Sequence, residues 1–408
     1  MARKRLLKTK KNKFLTLKNY TPMKLTIDDV RSRFIKHFDG ETGSVYASPG
    51  RINLIGEHTD YNNGFVFPGA VEQGMIAEIK PNGTRNVRAY SIDLKDYTEF
   101  SLDDEAGPKA TWARYIFGVC REMMALGVPV QGFNTAFAGD VPLGAGMSSS
   151  AALESTYAYA LNDLWGDNKI EKMELARVGQ RTEHKYVGCN CGIMDQFASV
   201  FGKKGSLMRL DCRSGEYQYF PWHPKGYQLV LVNSCVKHIL AGSPYNERRL
   251  QCEHVAEIIK QTHPEVESLR DATMEMLDEV KGQITGDEYK RARYVIGEVE
   301  RVLAVCDALK HDDYEMVGKM MYETHYGLSK EYEVSCEELD FLNDIAKEEG
   351  VTGSRIMGGG FGGCTINLVA DELVDNFKKV VVEKFAAKYG KKPIIIDVVI
   401  GDGARKLL

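Results

Sequence analysis

A run of glycines and serines at residues 144–152 limits what this chain can fold into more than any other stretch. It follows a predicted strand, residues 133–138, and opens a predicted helix, residues 151–164. Glycines let the backbone approach an anion closely, the N-terminus of a helix adds positive potential, and serine hydroxyls cap the helix or reach a metal ion. We therefore predict a loop that holds the phosphates of a nucleotide triphosphate. The residues of this phosphate loop are Gly144, Ala145, Gly146, Met147, Ser148, Ser149 and Ser150.

The size of the chain allows two domains of ordinary dimensions, because it has 408 residues of which 43% are hydrophobic. Two domains imply a cleft between them. A net charge of −4 leaves no overall basic field, so we expect no nucleic-acid partner. No apolar run approaches the roughly 20 residues needed to cross a bilayer, so we expect no membrane partner.

The nine cysteines are scattered over the whole length, and no signal peptide precedes them. This pattern is typical of free thiols in a reducing compartment, so we expect a cytoplasmic protein. Cys189 and Cys191 are close in the chain, but no second pair stands at zinc-binding spacing, and we interpret them as structural. We also expect a monomer.

The beginning of the chain is strongly basic, with seven Lys or Arg between Ala2 and Lys13. We predict that residues 1–22 form a disordered basic tail. A targeting or RNA-binding arm is the alternative interpretation of this charge.

Residues 50–61 alternate charged and polar side chains with glycine and aliphatic ones. Buried charges are costly unless they are paired or used in chemistry. Taken alone, Arg51 fits a solvated loop charge and His58 a core histidine, while Glu57 and Asp60 fit helix-capping carboxylates. Taken together, a functional site is an equally good interpretation.

Two further carboxylates have unusual surroundings. Glu183 stands on the small or apolar face of a predicted helix at residues 171–187, where a lone glutamate would be expected to reach for solvent. Asp195 follows closely, flanked by apolar side chains. Such surroundings tune a carboxylate for proton transfer, which makes both residues candidates for the site.

In the second half of the chain, apolar residues recur mostly at helical spacing. This half closes with a glycine-rich stretch at residues 353–364, which a predicted strand, helix and strand follow. We predict an α/β protein with an N-terminal mixed-sheet domain at residues 23–220, which carries the phosphate loop. A helix-rich α+β domain at residues 221–408 follows, with the active site at the interface.

The common nucleotide-binding motifs do not explain these residues. The glycine-rich stretch at residues 353–364 has the spacing of a dinucleotide-binding loop, but a β-branched strand follows it rather than a helix, which argues against a dehydrogenase. Neither a Walker A Gly-Lys-Ser/Thr tripeptide nor a protein-kinase His-Arg-Asp occurs. A phosphate loop without lysine, two carboxylates and a charged segment favour a small-molecule kinase of neither common type.

Three blocks of the chain resemble one kinase superfamily. Residues 50–61 resemble the galactokinase signature, and residues 142–152 resemble the phosphate loop of the galacto-, homoserine, mevalonate and phosphomevalonate kinases. Residues 353–364 resemble the third motif of that superfamily. The blocks stand in the expected order, and the resemblance leaves only the basic tail outside. Met147 replaces the usual leucine and Gly359 the commoner alanine, and neither change removes a functional group.

The resemblance implies a two-domain kinase that moves the γ-phosphoryl group of ATP to the 1-hydroxyl of galactose, with ATP and Mg²⁺ as cofactors. It implies that Asp195 accepts the proton of that hydroxyl beside Arg51, whose charge also offsets that of the moving phosphoryl group. It further implies that Ser150 and Glu183 hold Mg²⁺. The residues that it implies for sugar binding are Glu57, His58, Thr59, Asp60, Gly192 and Tyr245.

Two alternatives remain. The same scaffold could act on another sugar, such as N-acetylgalactosamine, or on a different alcohol. A sugar-sensing regulator without catalysis is the alternative from another class, but such a protein would be expected to have a damaged phosphate loop or to lack Asp195.

Overall fold

The computed structural model describes residues 25–40, 42–142, 144–236 and 244–408, so the predicted tail at residues 1–22 lies outside the described residues. The strands are β1 Ser44–Asn53, β2 Phe65–Val66, β3 Pro68–Pro81, β4 Asn86–Ser91, β5 Asp96–Ser101, β6 Phe133–Gly139, β7 Ser206–Asp211, β8 Tyr217–Pro221, β9 Tyr227–Asn233, β10 Gly353–Ile356, β11 Cys364–Ala370, β12 Ile394–Asp397 and β13 Arg405–Lys406. The α-helices are α1 Ile27–His37, α2 Thr111–Ala125, α3 Ser149–Trp165, α4 Lys172–Thr182, α5 Met194–Phe201, α6 Tyr245–Lys260, α7 Met274–Glu279, α8 Gly286–Lys310, α9 Tyr314–Tyr326, α10 Glu337–Glu348 and α11 Val374–Tyr389. In this part of the chain no helix combines the length and the apolar character that a membrane span requires.

The first sheet is mixed and has the strand order β13-β1-β3-β6-β4-β5, in which β4 and β6 run parallel and the other neighbours antiparallel. Successive side chains of β6 point to opposite faces. Phe133 and Phe137 join a core with residues of α2 and α3, whereas Ala136 packs against Phe34 of α1. Both faces are therefore covered, which holds β6 and the phosphate loop that follows it in place.

The second sheet is antiparallel, with the order β10-β11-β9-β12. Val230 and Val232 of β9 pack with α10 and α11, and Leu229 and Leu231 pack with residues of α8 and α9. Because both faces are buried, β9 is apolar at successive positions rather than at alternate ones. The mixed-sheet half and this helix-rich half confirm the predicted fold class.

One core cluster joins the two halves. It contains Ile52 of β1 and Leu207 of β7 together with Leu231 of β9 and Val302 of α8. The chain then returns to the first sheet at its end, where β13 pairs with β1. A small sheet of β2, β7 and β8 completes the architecture. The domain limits at residues 23–220 and 221–408 stay a prediction.

The predicted elements around the phosphate loop are confirmed as β6 and α3, within two residues at each end. The prediction of one regular helix at residues 171–187 is wrong at its C-terminal end. The α-helix α4 ends at Thr182, and a π-helical turn, Glu183–Val187, continues it. A π-helical turn holds more residues than an α-helical one and is common at functional sites. The apolar periodicity gave no sign of this change of pitch, which occurs at the candidate metal ligand Glu183.

Candidate active site

A cavity of about 310 Å³ gathers nearly all the predicted site residues. It lies between the end of β1, the phosphate loop, α5, the start of α6 and the glycine-rich stretch before β11. The predicted residues that line it are Arg51, Glu57, His58, Asp60, Gly144, Ala145, Gly146, Met147, Ser148, Ser149, Ser150, Glu183, Gly192, Asp195 and Tyr245. Thr59 is not brought to the cavity. Its buried hydroxyl donates instead to the carbonyl oxygen of Phe65 at 2.6 Å.

Arg51 and Asp195 form a bidentate ion pair in the cavity wall. Arg51 Nε lies 2.8 Å from Asp195 Oδ1, and Arg51 Nη2 lies 3.1 Å from Oδ2. The Arg51 side chain is 4% exposed and that of Asp195 is 31% exposed, so the carboxylate faces the cavity and the guanidinium lies behind it. The Ser148 hydroxyl also donates to Oδ2, at 2.5 Å. This hydroxyl of the phosphate loop thus helps to orient the carboxylate.

The phosphate loop packs directly on the backbone of β1. The Arg51 amide donates to Met147 O at 3.1 Å, and Arg51 Nη1 donates to Gly146 O at 2.5 Å. A Cβ atom on Gly50 would lie 2.5 Å from Met147 O, so this close approach requires glycine. Ser149 begins α3 and lines the cavity, which turns the positive end of that helix toward it. The arrangement suits a bound phosphate.

Ser150 and Glu183 meet at the cavity, where the serine hydroxyl bonds to the carboxylate. Burial, with the charge of Asp195 adding to it, raises the pKa of Glu183 to about 7. Among the described residues Glu183 has no ion pair with Lys or Arg, and no three His, Cys, Asp or Glu side chains are arranged to hold a metal ion by themselves. A hydroxyl and a buried carboxylate without a cation nevertheless fit Mg²⁺, which binds oxygen and shares its coordination with substrate phosphates.

Asp60 and Gly192 are in tight contact on the predicted sugar side. A Cβ atom on Gly192 would lie 1.9 Å from Asp60 Oδ2, so no side chain fits between them. The Tyr61 amide donates to Asp60 Oδ1 at 3.1 Å. Burial, increased by the charge of Asp195, raises the pKa of Asp60 to about 6. The cavity therefore contains a second carboxyl group that titrates near neutral pH.

An aromatic cluster surrounds His58, whose backbone has φ of +62°. Its Nδ1 lies 2.6 Å from the Tyr61 hydroxyl, and that hydroxyl lies 2.9 Å from the hydroxyl of Tyr332. The ring of Tyr245, at the start of α6, lies 5.4 Å from the His58 ring. A left-handed backbone is uncommon for a residue other than glycine, and it is held here by these surrounding contacts.

The carboxylate of Glu57 is bound from the opposite half of the molecule. Its Oε1 accepts from Arg355 Nη1 at 3.0 Å and from the Gly358 amide at 2.8 Å. The Arg355 and Arg51 cations outweigh the effect of burial and hold the pKa of Glu57 below its usual range. Glu57 is thus ionised and firmly held.

Sequence reasoning missed several lining residues, namely Tyr115, Pro142, Val187, Cys189, Cys191, Met194, Gln196 and Gly359. It also missed Arg355. Gly359 and Arg355 stand within the glycine-rich stretch at residues 353–364, so that motif is a usable signal for both residues. Tyr115 lies on α2, where nothing in the helical pattern distinguishes it.

The comparison with protein families agrees with this architecture. The model of the GHMP kinases N terminal domain matches residues 114–203, and that of the GHMP kinases C terminal matches residues 306–387. A mevalonate kinase structure from Methanococcus jannaschii, 18% identical, shares the fold with a TM-score of 0.59 over 89% of this chain and 99% of that one. The fold and the site define a small-molecule kinase of the GHMP class.

The more similar relatives narrow this class. The galactokinase of Clostridium beijerinckii is 40% identical over 388 residues, which are 93% of this chain and 99% of that protein. The chain therefore belongs to the galactokinase family. The model of the galactokinase galactose-binding signature matches residues 32–81. The galactokinase of Thermotoga maritima is 39% identical over 88% of this chain and 99% of that protein. The structure of Lactococcus lactis galactokinase complexed with galactose superposes with a TM-score of 0.87 and 34% identity, over 92% of this chain and 98% of that chain.

Proposed function

We propose that this kinase transfers the γ-phosphoryl group of ATP to the 1-hydroxyl of D-galactose, which yields galactose 1-phosphate and ADP. The observation that supports this best is the Arg51–Asp195 ion pair, which opens on the same cavity as the phosphate loop. Phosphoryl transfer requires mainly alignment and charge stabilisation, together with a group that handles the proton of the nucleophile.

Asp195 is the residue proposed to take that proton. Its Oδ2 accepts two hydrogen bonds, whereas Oδ1 accepts one, from Arg51, and so retains a lone pair for a sugar hydroxyl. As the proton moves from the 1-hydroxyl to Asp195, the hydroxyl oxygen forms a bond to the γ-phosphorus. The bond to the bridging oxygen breaks, and its electron pair leaves with ADP. Arg51 stabilises the negative charge of Asp195 before the proton moves and that of the phosphoryl group while it is transferred.

The phosphates would be held by the amides of the phosphate loop and by the N-terminus of α3. Ser150 and Glu183 are the proposed ligands of Mg²⁺, which supplies charge neutralisation for the phosphate oxygens when bound. On the sugar side, Asp60, His58, Gly192 and Tyr245 offer polar groups and a close-packed wall. A buried polar partner that is left unpaired disfavours an epimeric sugar strongly, which would give selectivity for galactose.

We also propose that the kinase acts as a cytoplasmic monomer. All nine cysteines are free, as expected in a reducing compartment, and one chain supplies every group that the mechanism above uses. Sedimentation of the purified protein measures its oligomeric state.

The proposed reaction is tested by an ADP-release assay with ATP and Mg²⁺ over a panel of galactose, glucose, mannose and N-acetylgalactosamine. We expect turnover with galactose and a phosphorus NMR signal of a sugar 1-phosphate. Turnover with N-acetylgalactosamine instead would assign another sugar to the same scaffold. Tight galactose binding by calorimetry without ADP release would identify a sugar-sensing regulator.

A further inference from the structure

Two buried charged side chains from the second half of the chain hold residues 53–57, the part of the signature that ends at Glu57. Arg355 of β10 and Glu298 of α8 are both 0% exposed. Arg355 donates to carbonyl and carboxylate oxygens of this segment, whereas Glu298 accepts from its amides. The carbonyl groups of this segment are therefore bound by a cation, and its amide groups by an anion.

All three nitrogen atoms of the Arg355 guanidinium donate hydrogen bonds to this segment. Nε donates to Leu54 O at 2.9 Å, Nη2 donates to Asn53 O, and Nη1 donates to Glu57 Oε1 at 3.0 Å. Only arginine presents donors in a rigid planar fork that can reach several acceptors at once. Arg355 therefore fixes both the backbone of the segment and the side chain of Glu57.

Glu57 extends this contact to the phosphate side of the cavity. The oxygen that accepts from Arg355 also accepts from the Gly358 amide at 2.8 Å. Gly358 begins the second glycine loop, residues 358–363, with φ of +82°, and a Cβ atom there would lie 3.2 Å from Gly146 O and 3.6 Å from Arg51 Nη2. The chain of contacts from Arg355 through Glu57 thus ends on the phosphate loop.

Glu298 makes a different set of contacts. Its Oε1 accepts from the amides of Gly56 and Glu57 at 2.8 and 3.3 Å, and its Oε2 accepts from Thr324 and Arg301, both at 2.7 Å. These contacts support the signature segment without touching the second glycine loop. Glu298 is therefore a natural control for Arg355, since both are buried charges on the same segment.

We propose that Arg355 and Glu57 are positioning residues that hold the second glycine loop against the phosphate loop and so shape the ATP end of the cavity. This role goes beyond the sugar binding predicted for Glu57, and it rests on the proposed kinase reaction. A charge-assisted hydrogen bond fixes the Gly358 amide more strongly than a neutral one, and phosphoryl transfer is sensitive to small displacements of the groups that align it.

The test compares Arg355→Lys and Glu57→Gln with Glu298→Gln. Lysine keeps the charge of Arg355 but cannot span its acceptors, and glutamine keeps the shape of Glu57 but loses its charge. For both we expect the KM for ATP and the calorimetric Kd of a non-hydrolysable ATP analogue to rise about tenfold. The KM for galactose should change less than about threefold for Arg355→Lys, whereas Glu57→Gln, at a predicted sugar ligand, should raise that KM as well. For Glu298→Gln we expect the opposite, with a higher KM for galactose and unchanged binding of the ATP analogue.

The proposal is overturned if Arg355→Lys and Glu57→Gln raise the KM for galactose while the ATP analogue binds as in the wild type. It is equally overturned if all three variants lose both affinities together with thermal stability, since that pattern indicates a purely structural role. Should Arg355→Lys not fold, the nearly isosteric Glu57→Gln decides the question. If the wild type does not phosphorylate galactose, the proposed reaction fails, whereas binding of the ATP analogue to the variants still tests the positioning role.

Discussion

Replacing Asp60 with asparagine removes a charge from a carboxyl group that is packed against Gly192 and bonded by the Tyr61 amide. Burial and the nearby Asp195 raise the pKa of Asp60 from 3.8 to about 6. Between these two pH values the folded protein binds more protons at this site than the unfolded chain does. The free energy of unfolding therefore falls as pH rises from about 4 to about 6, and stays lower above that.

The size of this effect follows from the pKa shift. A displacement from 3.8 to about 6 corresponds to about 3 kcal/mol of lost stability at neutral pH. Because the residue is partly open to the cavity, solvent screening reduces this, and we expect Asp60→Asn to stabilise the ligand-free protein by about 2 kcal/mol at pH 7.5. Asparagine retains an oxygen for the Tyr61 amide. At pH 4 the two proteins should be almost equally stable.

The assay is urea unfolding of wild type and Asp60→Asn at pH 4, 5.5 and 7.5 without galactose or ATP, paired with the KM for galactose at pH 7.5. We expect the stability of the variant relative to the wild type to increase as pH rises, while its KM for galactose increases at least about tenfold. Asp211→Asn is the matched control. Its carboxylate pairs with Arg270, which with backbone amides lowers the pKa of Asp211, so this variant should be less stable than the wild type by a nearly constant amount between about pH 4 and 7.5. A stability difference for Asp60→Asn that is constant with pH would refute the reasoning.

Three further predictions concern the same cavity. Asp195→Asn keeps the shape but not the charge that pairs with Arg51, so kcat should fall by about 10²- to 10⁴-fold with both KM values nearly unchanged; an unchanged kcat in steady-state kinetics would contradict the role of the base. Ser150→Ala should raise the Mg²⁺ concentration for half-maximal activity severalfold, and an unaltered metal titration would exclude its role as a ligand. Gly192→Ala would place a Cβ atom 1.9 Å from Asp60 Oδ2, so the KM for galactose should rise and that for ATP should not; the reverse would mean that the two ends of the cavity are exchanged.

Much of the site was predictable from local sequence. Glycines and serines between a strand and a helix predicted the phosphate loop, because backbone freedom and the helix N-terminus act within a few neighbouring residues. The density of charge at residues 50–61 indicated a functional segment, because buried charges are costly unless they are paired or used in chemistry. Both predictions concern residues that lie close together in the chain.

The tertiary structure alone decided which groups meet. Arg355 and Glu57 are 298 residues apart in the chain, and their contact exists because β10 is carried to the end of β1 by the packing of the second sheet. Likewise, Thr59 turns its hydroxyl to a carbonyl oxygen, and a π-helical turn begins at Glu183. The sequence by itself determined the local elements and the chemical groups available, since these depend on neighbouring residues. The partners of those groups, and hence their ionisation and roles, depend on how distant elements pack around shared cores, which no local pattern contains.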